Sequence, residues 1–113
     1  MNIMKTFFIQ SLLSAFLLTG FNVFAVDQSI CDPNANIVLY NNGALQSCQL
    51  KDNYDINNIT CKQGTIIRFY DNGQLESCVL NAEVTISDTR CKPDSPISFY
   101  IDGNLRSCMK LAF

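Results

Sequence analysis

The chain of 113 residues has no histidine and no tryptophan, and neither clustered positive charge nor a C-x-x-C pair. Without histidine a Ser-His-Asp triad cannot be built, and the usual nitrogen ligand of a zinc site is missing. Without a C-x-x-C pair beside a helix, dithiol redox chemistry lacks its reactive unit. Eight basic residues are scattered among ten acidic ones, so there is no basic stripe to track phosphates and no polybasic segment for anionic lipid. Beyond the N-terminal segment no stretch carries apolar residues at helical spacing. These absences argue against nucleic-acid binding and a zinc site; no metal or cofactor is expected, and an enzyme is left without a catalytic constellation.

What is present begins with residues 1–25. Lys5 precedes an apolar run over residues 7–24, and Val23-Phe24-Ala25 places small residues at the −3 and −1 positions. This predicts a secretory signal peptide cleaved near Ala25, leaving a secreted or periplasmic domain over residues 26–113; the alternative is an uncleaved N-terminal anchor, since Phe7 to Val26 is about long enough to span a bilayer. That domain holds three phenylalanines, Phe69, Phe99 and Phe113, with seven basic and ten acidic residues. A domain of this size buries a limited core and often needs covalent staples. Six cysteines behind a signal peptide read as disulfides in an oxidising compartment.

The cysteines mark an internal repeat. Residues 27–56, 57–86 and 87–113 align without a gap. Each copy contains Cys, an apolar pair, Tyr, then Asn or Asp, Gly, Leu, Ser and Cys at fixed offsets. Tyr40, Tyr70 and Tyr100 correspond, as do Gly43, Gly73 and Gly103, Leu45, Leu75 and Leu105, and Ser47, Ser77 and Ser107. A fixed period with three copies predicts a stacked architecture. β-Branched and aromatic residues before Asn42-Gly43, Asn72-Gly73 and Asp102-Gly103 predict one β-hairpin per copy. The expected fold is all-β: three stacked hairpins of 30 residues in an elongated antiparallel sheet, stapled by disulfides.

A three-residue turn over Asn41-Asn42-Gly43 sets Leu39 opposite Leu45 and Ile37 opposite Ser47, gathering Ile37, Leu39 and Leu45 on a buried face. A two-residue turn instead sets Tyr40 opposite Leu45 and Ile37 opposite Cys48. In the second copy the three-residue turn makes Ile67, Phe69 and Leu75 the buried face. The spacers over residues 54–60 and 83–89 carry a weak alternation, fitting one short strand or an extended crossover.

Six cysteines permit fifteen pairings. Repeat symmetry leaves two: within each copy, Cys31–Cys48, Cys61–Cys78 and Cys91–Cys108, or between neighbours, Cys48–Cys61 and Cys78–Cys91. The first is favoured because it gives every cysteine an equivalent partner, whereas the second leaves Cys31 and Cys108 over.

The pattern Tyr-x-Asn/Asp-Gly-x-Leu, carried by Tyr40, Asn42, Gly43 and Leu45 and their counterparts, resembles the bacterial variant of the MORN repeat. The resemblance implies short stacked hairpins and a scaffolding or interaction role, with a protein or cell-envelope component as partner. It implies no catalytic residue. In register, Tyr40, Tyr70 and Tyr100 form a ladder, a candidate binding surface for sugars or extended peptides, or a structural cross-strand feature. The repeated serines fit packing or strand hydrogen bonding, and Asn58-Ile59-Thr60 matches the N-glycosylation pattern. The first functional expectation is a non-enzymatic binding or structural module. The alternative is a small disulfide-rich toxin or enzyme inhibitor, against which the uniformity of the turns counts.

Overall fold

The computed structural model describes residues 26–111; the expected signal segment and Phe113 lie outside the described residues. The main body is a six-stranded antiparallel sheet built from three hairpins. These are β1 (Ile37–Leu39) with β2 (Leu45–Gln49), β5 (Ile66–Phe69) with β6 (Leu75–Val79), and β9 (Pro96–Phe99) with β10 (Leu105–Cys108). Two smaller hairpins, β3 (Tyr54–Ile56) with β4 (Ile59–Cys61) and β7 (Val84–Ile86) with β8 (Thr89–Cys91), lie between them in sequence. The strand order of the main sheet is β1-β2-β5-β6-β9-β10, so neighbouring hairpins join edge to edge. One 3₁₀ turn, Gln28–Ile30, precedes the first hairpin, with the Asp27 carboxylate accepting from the Ser29 N–H at 3.0 Å.

The turns of the main hairpins hold three residues. The Gly43 N–H donates to the Tyr40 carbonyl at 2.9 Å, and the Tyr40 N–H to the Ala44 carbonyl at 2.8 Å. Gly43, Gly73 and Gly103 have φ of +88°, +89° and +95°, the left-handed position that closes such a turn. The Asn or Asp before each glycine does not itself adopt positive φ. Its side chain accepts the N–H two residues on instead: Asn42 from Ala44 at 2.9 Å, Asn72 from Gln74 at 3.0 Å, Asp102 from Asn104 at 3.0 Å.

The three-residue turn sets Leu39 opposite Leu45, but Ile37 faces Cys48 rather than Ser47. A β-bulge opposite Val38 and Leu39 accounts for the difference, and the same shift recurs in the other two hairpins. The extra residue is Gln46, Glu76 or Arg106. It changes the phase of the strand, so Leu45, Cys48 and Leu50 all turn inward although their spacing is not even. Ile67, Phe69 and Leu75 are all buried, with Ile67 and Phe69 at 0 % exposure. The corresponding face of the first copy is incomplete: Ile37 is half-buried and Leu39 is 41 % exposed. Among the described residues β1 is an edge strand, with no strand beside Leu39 on its outer flank.

The spacers form complete hairpins rather than one strand or a crossover. Ile56 pairs with Ile59 and Ile86 with Thr89, leaving two-residue turns. Asn57, Asn58, Ser87 and Asp88 all take positive φ, as a turn of this twist requires. Tyr54, Ile56, Val84 and Ile86 pack against the core, so the small hairpins cover the inner side of the main sheet.

The disulfides join Cys31 to Cys48, Cys61 to Cys78 and Cys91 to Cys108, one within each copy. Closing a loop of this length contributes about 3 kcal/mol by the chain-entropy estimate. Cys48 pairs laterally with Ile37 and Ile67, and Ile97 with Cys78 and Cys108. The core is therefore a band in which isoleucine and half-cystine alternate across the strands.

Candidate binding face

With the small hairpins on the inner side, no other strand among the described residues covers the outer side of the main sheet. Strand pairing lines up one residue per strand along it: Val38, Ser47, Arg68, Ser77, Ser98 and Ser107. The three repeated serines thus stand in one lateral row, Ser47 buried, Ser77 half-buried and Ser107 exposed, and Ser98 and Ser107 share a hydrogen bond at 2.9 Å. Arg68 is exposed and is the single charge in that row. A second row pairs Gln49 with Ile66 and Val79 with Pro96. Ile66 is 46 % exposed, so this row is partly apolar. The face combines hydroxyls, one guanidinium and a short apolar strip on a pleated surface. That chemistry suits contact with an extended or flat partner more than enclosure of a small molecule.

The tyrosines line the turn end of the sheet. The Tyr40 hydroxyl donates to the Phe69 carbonyl at 2.7 Å, and the Tyr70 hydroxyl to the Phe99 carbonyl at 2.8 Å. Each acceptor belongs to the residue just before the next tyrosine, so the ladder clips each hairpin to its neighbour. Tyr40 and Tyr70 are both half-buried. Tyr100 stands at the end of the series, 52 % exposed, with the Arg106 guanidinium 5.9 Å from its ring centre. Burial raises the Tyr40 pKa above its usual value, reinforced by the Glu76 and Asp71 carboxylates and by Tyr70.

A groove lies on the other side of the molecule, between the tips of the small hairpins and the third main hairpin. Ile59, Val84, Ile86 and Phe99 supply its apolar lining, and Asn57, Asn58 and Gln74 its polar one. Asn58 of the N-x-T pattern lies on the exposed tip at its margin. Among the described residues no cluster of acidic or cysteine side chains is arranged to hold a metal ion, and no helix is long and apolar enough to cross a membrane.

The serine row joins residues that the repeat pattern marked, Ser47, Ser77 and Ser107, with Arg68 and Ser98, which it did not. Those two occupy variable positions. Only the strand register, fixed by the bulge, brings them into line. No family model, curated protein or solved structure matches this chain.

Proposed function

We infer that this protein is a secreted or periplasmic binding module whose open sheet face engages a protein or a cell-envelope component. The observation that supports this reading is the outer face itself. It runs unbroken across six strands and carries the exposed Arg68 and Ser107, with Ser77 and Ser98 half-buried between them. The inner face is occupied by the small hairpins and the half-cystines, while Arg68 and Ile66 are exposed on the opposite side of their strand. The three disulfides fit the oxidising compartment this reading requires. The main turns have little freedom to act as the variable loops of a toxin or inhibitor, because the tyrosines beside two of them bond the next hairpin.

The test is retention of partners from a cell-envelope extract by the immobilised, oxidised protein, compared with an Arg68→Glu variant. A partner held by the parent and released by the variant is the expected result. Equal retention by both, or retention of nothing, overturns the reading.

A further inference from the structure

We propose that copies of this chain join head to tail, the β10 edge of one against the β1 edge of the next, continuing the six-stranded sheet. The joint continues an interface that the molecule already contains twice. β2 meets β5, and β6 meets β9, in the same register: Cys48 against Ile67 and Cys78 against Ile97. At both junctions a tyrosine hydroxyl bonds the carbonyl of the next hairpin, and Leu50 or Leu80 donates to the Thr65 or Ser95 carbonyl at 2.9 Å. Advancing by one repeat places Cys108 against Ile37 of a second copy, Tyr100 at the Leu39 carbonyl, and the Lys110 N–H at the Ala35 carbonyl. Among the described residues no strand lies beyond β1 or β10.

The two ends are complementary in other respects. Asp27 and Asp32 lie shortly before β1 at one end. Arg106 lies in β10 and Lys110 just after it at the other, while Arg90 is already paired with Glu83 at 2.8 Å. An acidic end therefore meets a basic one, an arrangement that orients the encounter. Exposed apolar residues also gather at both ends: Val38 and Leu39 at one, Tyr100, Ile101 and Met109 at the other. Leu39 occupies the position of Phe69 and Phe99, which are buried where a hairpin precedes them.

Two substitutions keep the joint reversible. Lys110 stands where the internal junctions have the buried Leu50 and Leu80. The Asn34 N–H is held by the Asp32 carboxylate at 2.9 Å, whereas the matching N–H of Gly64 and Asp94 bonds the Leu50 or Leu80 carbonyl. Assembly must exchange that local bond for one between molecules, so association is weak and depends on concentration. Because the contact repeats head to tail without closing, its product is an open chain rather than a dimer.

The experiment is sedimentation of the protein as the cell secretes it, up to about 1 mM, the range where contacts this weak become populated. The average mass of the parent is expected to climb past that of a dimer, and Tyr100→Phe to weaken association about fivefold, the effect of one hydrogen bond. Leu39→Lys blocks one end with a charge at a position the joint buries. Lys110→Pro blocks the other by removing an N–H that faces the open edge. Each blocked variant alone is expected to stay monomeric, and an equimolar mixture of the two to stop at a dimer. A monomeric parent throughout, association that survives Leu39→Lys, or a mixture that stays monomeric while the parent associates would each overturn the proposal. Should a blocked variant lose its disulfides or strand signature, the Tyr100→Phe shift decides alone, an unchanged association constant counting against the joint. The joint uses the sheet edges and not the outer face, so retention of an envelope partner and self-association succeed or fail separately.

Discussion

The same residue type serves two different ends at Tyr70 and Tyr100. Tyr70 closes a junction through its hydroxyl, while Tyr100 faces solvent at the last hairpin. Replacing Tyr70 by Phe leaves the Phe99 carbonyl without that donor and is expected to lower stability by about 1 kcal/mol. Tyr100→Phe removes no bond of this kind and should fall within about 0.5 kcal/mol of the parent. Urea unfolding of both variants under oxidising conditions checks the pair; equal losses would mean that the inter-hairpin bond is not what the hydroxyl contributes. Tyr40 makes the same kind of bond, and its pKa is raised by burial and by nearby carboxylates. Between the unfolded pKa, near 10, and the higher folded value, the native state binds more protons than the unfolded one. The stability linked to Tyr40 is thus full below about pH 10 and is lost as pH rises through the folded pKa. Tyr40→Phe should abolish that part of the alkaline decline, as thermal unfolding at stepped pH would reveal. The invariance of the three tyrosines is visible in the chain. The reason for it is not, because the acceptor is a backbone carbonyl 29 residues away.

At the level of the hairpin, turn and bulge act as one device. The turn puts Tyr40 against Ala44, and the bulge then lets Leu45 and Cys48, three residues apart, share the inner face. The Asn-Gly and Asp-Gly pairs make the main hairpins legible in the amino-acid order itself. A bulge leaves no comparable mark, since Gln46, Glu76 and Arg106 have nothing in common except their place in the repeat. The small hairpins are harder still to read. Their strands hold three residues each, too few for alternation to stand out, and their turns use Asn57-Asn58 and Ser87-Asp88 at positive φ without glycine. Gly43 offers the cleanest test of the main turn. A Cβ added there meets nothing within 4 Å, so Gly43→Ala isolates the cost of a left-handed residue at φ +88°. That cost is expected to be about 1 kcal/mol. A loss near zero in chemical denaturation would show that the turn relaxes to another form.

Across the whole molecule, each hairpin depends on its neighbours for what it lacks alone. The middle hairpin has strands on both sides, covers its inner face with Ile67, Phe69 and Leu75, and receives a tyrosine clip from one neighbour while giving one to the other. The exposed Lys62–Asp94 pair, at 2.7 Å, adds little to the second junction. The 30-residue period discloses this stacking, but it does not disclose which positions change character at the ends. Leu39 and Phe69 are equivalent in sequence, yet one is 41 % exposed and the other 0 %. The difference comes from the number of flanking strands, a property of place in the stack and not of local pattern. Stability in such an array is a sum over units and their interfaces, and end units open first. Backbone polarity sharpens this into a measurable contrast. The Tyr40 N–H points toward β2, so by alternation those of Ile37 and Leu39 point to the open edge, whereas those of Ile67 and Phe69 point toward β2 of the preceding hairpin. In dilute solution the amides of Ile37 and Leu39 are expected to exchange with solvent far faster than those of Ile67 and Phe69. The protection of the second pair should approach the global unfolding free energy. Exchange read residue by residue tests this, and equal protection at the four sites would mean that β1 is covered in solution.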